Sequence, residues 1–162
     1  MPELINLTED NICSEHIWCA ISDKKCAKGY ELKKEWLKTQ FASGYRFQKV
    51  DVRGKVFIEY VPIEASWLPI DGHNFMIINC FWVSGQFKGQ GYGKQLLEQC
   101  FKDAAGMDGV IAITGEKKRG FMSDPAFYKY MGFEIIDEAP PFFKLLGYRF
   151  NKNAIYPKIK ET

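Results

Sequence analysis

The chain is poor in the features that mark membrane-spanning, disulfide-stapled and nucleic-acid-binding proteins. In its 162 residues no apolar run approaches the roughly 20 residues that a membrane helix needs. The start, Met1-Pro2-Glu3-Leu4-Ile5, lacks the basic flank and apolar core of a secretory signal. A soluble, cytoplasmic protein with no membrane partner is therefore expected. The five cysteines, Cys13, Cys19, Cys26, Cys80 and Cys100, are an odd number without a C-x-x-C pair. That usage suits neither a disulfide framework nor a zinc knuckle and fits a reducing compartment, so no metal site is expected. Cys80 and Cys100 lie in apolar patterns, where cysteine packs as a small hydrophobe. The net charge of +2 is too slight for the concentrated basic face of a nucleic-acid partner. The short run Lys117-Lys118-Arg119 reads as a solvated loop or a phosphate contact. No internal repeat or low-complexity stretch occurs.

What the chain does have is 46% apolar content, enough for one core, and a single domain over residues 1–162 is expected. A short strand over 3–7 precedes a capping Thr8 or Asp10 and helical spacing at Ile12, His16, Ile17 and Ala20. Over 29–41, Leu32, Trp36, Leu37 and Phe41 recur at helical intervals among charged residues, a surface helix with one buried face. The runs 45–49 and 55–61 flank the turn-like Asp51-Val52-Arg53-Gly54 and read as an antiparallel hairpin. Phe75–Val83 is apolar on both faces, as a central strand is. An apolar face at Leu96, Leu97, Cys100, Phe101 and Ala104 predicts a helix, and 109–114 a second buried strand. Asp124 and Pro125 open a short helix that Gly132 closes, with Phe127, Tyr128 and Met131 on one face. Strands follow over 134–137 and 142–150, and the lysine-rich tail from Lys152 is expected to fray.

The most informative stretch joins the central strand to the helix after it: Lys88-Gly89-Gln90-Gly91-Tyr92-Gly93-Lys94. Glycines at alternate positions allow sharp bends that bring backbone N–H groups to an anion, and the next helix adds its positive end. The loop is not a Walker A motif, because Lys88 stands where its first glycine belongs and Gln95 where Ser or Thr holds magnesium. Neither is it a dinucleotide fingerprint, since Lys94 replaces the last glycine.

A basic residue followed by spaced glycines, with a buried strand before and an amphipathic helix after, resembles the acetyl-CoA loop of the GNAT N-acetyltransferase superfamily. Lys88 stands where the family usually has Arg or Gln. The stretch Phe127-Tyr128-Lys129-Tyr130-Met131-Gly132-Phe133 is similar to the family's aromatic-Tyr-x-x-x-Gly-Phe signature. The segment 59–67, followed by 79–83, also resembles a bacterial branch of the superfamily that brings no substrate with it. The resemblance implies an α/β fold with a central mixed sheet flanked by helices, and acetyl-CoA as co-substrate. Its diphosphate is then held by Lys88, Gly89, Gln90, Gly91, Tyr92, Gly93 and Lys94, and its pantetheine arm lies along Phe81, Trp82 and Val83.

The same resemblance implies direct attack on the thioester by a primary amine of a small molecule or peptide, with Tyr128 as proton donor to the departing thiolate. For the base it leaves Glu59, Glu64 and then Glu116 open, with a water chain as the alternative to all three. The acceptor pocket is expected between residues 12–44 and 64–74, which carry Trp18, Trp36 and Trp67. His73 reads as a loop residue, and Asn79 either points into the cleft or pairs with buried backbone. A homodimer stays open, with the strand over 142–150 as an available edge. Two rivals stand beside this reading: a regulatory module that binds acyl-CoA without transfer, and an unrelated α/β protein whose loop holds another phosphate compound.

Overall fold

A computed structural model describes residues 4–12, 27–52, 55–115, 125–139 and 143–160. Its strands are β1 (Leu4–Asn6), β2 (Arg46–Val50), β3 (Val56–Pro62), β4 (Ile70–Asp71), β5 (Phe75–Val83), β6 (Gly109–Gly115), β7 (Glu134–Ala139), β8 (Phe143–Arg149) and β9 (Lys158–Ile159). The helices are α1 (Ala27–Phe41), α2 (Tyr92–Asp103) and α3 (Pro125–Tyr130). Seven strands form one sheet in the order β1-β2-β3-β5-β6-β8-β7, and β4 pairs separately with β9. β5 and β6 run parallel; the other neighbours are antiparallel. This is the mixed α/β architecture expected, including the β2–β3 hairpin and the β5–α2–β6 crossover.

Side-chain alternation along the strands divides the core into two layers. Val56, Ile58 and Tyr60 of β3 and Val110 and Ala112 of β6 face α2 and α3, where Leu96, Leu97, Cys100 and Tyr128 pack on them. Phe57 and Val61, Phe75 and Ile77, and Ile111 face the other way, against Leu37 of α1 and Ile70 of β4. Burying a leucine such as Leu96 or Leu97 contributes about 1.5–3 kcal/mol, so α2 is held by its apolar stripe. Among the described residues no helix is long and apolar enough to cross a membrane.

Three expectations change. Leu32, placed on the buried face of α1, is 61% exposed; that face begins with Lys33, which reaches the buried Glu59 of β3. A carboxylate in the opposing wall requires a cation there instead of an apolar residue. The expected edge at 142–150 is an interior strand, because β8 pairs with β6 on one side and β7 on the other. Leu145 and Leu146 are fully buried and need cover on both faces, whereas β7, mostly solvent-accessible, suits an edge. The tail does not fray: Ile159 pairs with Ile70 across β9 and β4. Its N–H donates to the Asp137 carboxylate at 2.8 Å, and the Lys160 N–H donates to the Pro69 carbonyl at 2.8 Å.

The expected helix through Ala20, Cys13, Cys19, Cys26, Trp18, Arg53-Gly54, Glu116, Lys117-Lys118-Arg119 and Asp124 lie outside the described residues.

Candidate active site

The sheet opens in its middle. β5 pairs with β6 from Phe75–Gly109 to Ile78–Ala112 and no further, while on its other edge it stays paired with β3 as far as Val83–Val56. Glu59 stands opposite Cys80 and Tyr60 opposite Ile78, which leaves Asn79 as an extra, unmatched residue in β5. Such a bulge bends the strand and adds twist, here at the point where β6 departs. From Asn79 to Val83, therefore, the β6-facing edge of β5 has no strand partner among the described residues.

The gap holds a cavity of about 330 Å3. β5 contributes Ile78, Asn79, Cys80 and Phe81, β6 contributes Ile113, and α3 contributes Tyr128. Leu68, Pro69 and Ile70 form a wall with Ile159 of β9, and Ala139 and Phe143 close the ends of β7 and β8. Tyr128 is 1% exposed and meets the Phe81 ring edge-on, with centroids 6.0 Å apart. On the parted stretch of β6 the buried Thr114 hydroxyl has no hydrogen-bond partner among the described residues. Leaving such a group unpaired costs about 1–3 kcal/mol.

The glycine loop follows β5 directly. Gly89 and Gly91 have φ of +79° and +85°, a region that L side chains rarely adopt. Gly91, the N-cap of α2, provides no side-chain cap among the described residues, so the first N–H groups of the helix are presented to the loop side, where an anion is favoured. Gly93 serves a different purpose. A Cβ there would stand 3.3 Å from the Phe127 ring, so its absence lets α3 close onto α2. Phe127 in turn lies 5.6 Å from the Phe81 ring, and this packing ties the loop, α3 and the open end of β5 together.

Beside the cavity a polar chain, buried at Glu59 and Tyr45, runs from α1 to β5. Lys33 Nζ lies 2.9 Å from Glu59 Oε2, the Tyr45 hydroxyl donates to Glu59 Oε1 at 2.8 Å, and Asn79 Nδ2 approaches the Tyr45 oxygen at 3.4 Å. Burial, with the Glu59 charge second, raises the Tyr45 phenol far above its ordinary value. Tyr45 thus stays a neutral donor at any working pH. Glu59 is 1% exposed and is linked to the cavity wall through Tyr45 and Asn79.

A strand-to-helix glycine loop beside a splayed pair of parallel strands, closed by an aromatic helix, has a match among known families. The family described as acetyltransferase (GNAT) domain matches residues 52–135. The chain belongs to the GNAT family. It is 46% identical over 158 residues to a curated relative, "Uncharacterized N-acetyltransferase YoaP" of Bacillus subtilis strain 168, covering 96% of this chain and 63% of that protein. The chain therefore spans less than two thirds of that relative's length. The fold is shared with the PaiA N-acetyltransferase of Thermoplasma acidophilum, solved in complex with coenzyme A: TM-score 0.60, 14% identity, 93% of this chain and 99% of that one. YncA of Salmonella typhimurium, solved with its cofactor acetyl-CoA, superposes with a TM-score of 0.62 at 13% identity, over 96% of this chain and 98% of that one.

Within this GNAT fold the residues singled out from the sequence fall into three groups. Phe81 and Tyr128 line the cavity, with Trp82 and Val83 continuing the open edge and 88–94 leading into α2. Trp82 is held by Lys55, whose ammonium sits 5.6 Å from the ring centroid. Glu59 lies behind the wall. Glu64 is outside it: exposed, it accepts the Asn74 N–H at 2.7 Å and fastens a residue whose φ is +61° at the start of β5. His73 is exposed in the same loop. Trp36 and Trp67 meet edge-on, 6.0 Å apart, near the rim; neither lines the cavity among the described residues.

Sequence reasoning reached Ile70 only as part of the expected acceptor segment 64–74 and did not find Tyr45, Phe143 or Ile159. Tyr45 was legible only as the first residue of a strand. Ile159 lies in a lysine-rich tail and Phe143 at the first position of β8, and the local pattern of neither segment carries a sign of the cavity it meets.

Proposed function

We propose that the chain is a single GNAT domain that moves the acetyl group of acetyl-CoA to a primary amine by direct attack. The observation that carries this reading is the parting of β5 from β6 immediately beside an uncapped helix N-terminus and a tyrosine. Lys88, Gly89, Gln90, Gly91, Tyr92, Gly93 and Lys94 hold the diphosphate through backbone N–H groups and the positive end of α2. The free edge at Phe81, Trp82 and Val83 offers its backbone groups to the pantetheine amides, as an added strand would. Bound there, acetyl-CoA supplies an activated acetyl group at the Tyr128 end of the gap.

Tyr128 then holds a proton at its phenol oxygen for the departing sulfur. A phenol suits the task, because its ordinary pKa near 10 keeps it protonated at neutral pH while a thiolate of ordinary pKa about 8.5 forms. On the acceptor side the low-polarity cavity disfavours an ammonium ion and so favours the attacking neutral amine. Water at the cavity mouth takes the proton. Glu59 is a positioning residue in this scheme: through Tyr45 it orients the Asn79 carboxamide at the cavity wall. Glu64 carries no chemical role.

The test follows free thiol while the protein is incubated with acetyl-CoA and a mixed panel of amines. Amine-dependent thiol release supports the transferase. Acetyl-CoA binding without release supports a regulatory acyl-CoA-binding module, and stabilisation by ATP or NAD but not by CoA overturns both.

A further inference from the structure

The wall of the cavity that faces away from the glycine loop is built from two segments with no other evident task. β4 and β9 are two residues each, and they register Ile70 with Ile159 and Asp71 with Lys158. Ile70 is 7% exposed and, with Ile159, lines the cavity. Their charged neighbours turn outward, where Lys160 and Asp71 stand 3.8 Å apart in solvent. Leu68 and Pro69 extend the same apolar wall. Among the described lining residues none carries a charge.

Resting on the transferase reading, we infer that the acceptor amine carries an apolar body, an aryl or alkyl group, which lodges against Leu68, Ile70 and Ile159. The side of entry follows from the two core layers. Tyr128 and Phe81 belong to the layer of α2, where the cofactor loop lies, whereas Ile70 and Ile159 belong to the layer across the sheet. A second substrate must approach the thioester from the side the first leaves open, so the isoleucine wall meets the acceptor rather than the acyl chain. A polyamine or a lysine-bearing peptide brings further charges, and burying an unpaired ammonium against this wall costs several kcal/mol. An apolar amine brings one nitrogen and gains by leaving water.

In the reaction the amine nitrogen forms the new C–N bond and the C–S bond breaks with its electron pair on sulfur. The sulfur takes a proton from Tyr128, so that CoA leaves as the thiol. One amine proton passes to water, and the phenol is reprotonated from solvent.

The experiment measures kcat/KM with the full chain and acetyl-CoA for phenethylamine, hexylamine, spermidine and a lysine-containing tripeptide. Phenethylamine and hexylamine are expected to exceed the other two at least about ten-fold, the range over which an apolar pocket discriminates. Ile159→Gln keeps the backbone pairing of β9 and is expected to lower phenethylamine kcat/KM about ten-fold, leaving the KM for acetyl-CoA within two-fold. Leu68→Gln, on a segment outside the sheet, provides a second variant; thermal melts confirm that both fold. Spermidine or the tripeptide reacting as well as phenethylamine overturns the inference alone. So does an Ile159→Gln effect confined to the acetyl-CoA KM, or faster turnover of hexanoyl-CoA than acetyl-CoA, which assigns the wall to the acyl chain. Acetyl-CoA binding with no thiol release for any amine overturns the transferase reading and this inference with it.

Discussion

The two halves of β5 share a composition and differ in everything else. Phe75, Met76, Ile77 and Ile78 are all buried, and Met76, Ile77 and Ile78 are paired on both edges. From Asn79 onward the strand still carries Phe81, Trp82 and Val83, yet it is paired on one edge, and Asn79, Cys80, Trp82 and Val83 reach solvent to some degree. One half is core and the other is the wall of a site. The difference comes from β6, which leaves after Ala112, and from the extra residue at Asn79 that bends β5 away from it. A continuous apolar run therefore states that a strand is central; whether it is closed or open depends on a neighbour 34 residues away.

The largest expected break in this contrast is in stability. Ile77→Ala removes a fully buried side chain from the closed half and is expected to cost about 3–4 kcal/mol. Val83→Ala, in the half that meets solvent, is expected to cost less than about 1 kcal/mol while raising the KM for acetyl-CoA. Urea unfolding read beside steady-state kinetics checks both; equal stability losses would mean that the open half is packed like the closed one. Next in size is Tyr128→Phe, which keeps the ring against Phe81 and removes the proton. Turnover is expected to fall about 100-fold, with acetyl-CoA affinity within two-fold. Unchanged turnover removes the phenol from the chemistry and leaves it a wall residue.

The sequence was most legible where local chemistry decides. The glycines at 89, 91 and 93, the flanking strand and the Leu96-Leu97 face placed the β5–α2–β6 unit correctly, because bends, caps and amphipathic spacing act within a few residues. Leu32 was misplaced because a buried face need not be apolar when Glu59 waits opposite. β8 was misplaced as an edge because strand order is a property of the whole sheet, and the fully buried Leu145 and Leu146 show that it is covered on both faces. The tail was least legible. Its lysines point outward while Tyr156 packs on Phe75, centroids 6.0 Å apart, and Ile159 meets the cavity, a division visible only once β4 is there to pair with β9.

Smaller effects test the loop against the strand. Gly91→Val places a β-branched side chain at φ +85°, a strain of about 1–2 kcal/mol, and moves the N–H groups at the start of α2. The acetyl-CoA Kd is expected to rise about ten-fold, the equivalent of about 1.4 kcal/mol, with kcat at saturating cofactor nearly unchanged. Isothermal titration separates this from Tyr128→Phe, whose signature is the reverse. A Gly91→Val protein that binds acetyl-CoA normally places the diphosphate elsewhere.

The smallest effect concerns pH and belongs to the closed half. Burial, then the hydrogen bond to Glu134, pushes the Tyr156 phenol up from 10.0 to about 12. The folded state thus favours the protonated phenol, and this contribution is whole below pH 10, shrinks as the unfolded chain ionises, and is spent by about pH 12. Tyr45 and Tyr60, raised further by burial, act in the same direction. Stability is therefore expected to be insensitive to tyrosine near neutrality and to fall as pH rises past 10. Tyr156→Phe removes one ionising group, so chemical denaturation at pH 9, 10 and 11 should show a shallower fall in that variant. Because Tyr156 is only partly buried, the change in slope is small; an unaltered slope would mean that folding does not raise its phenol.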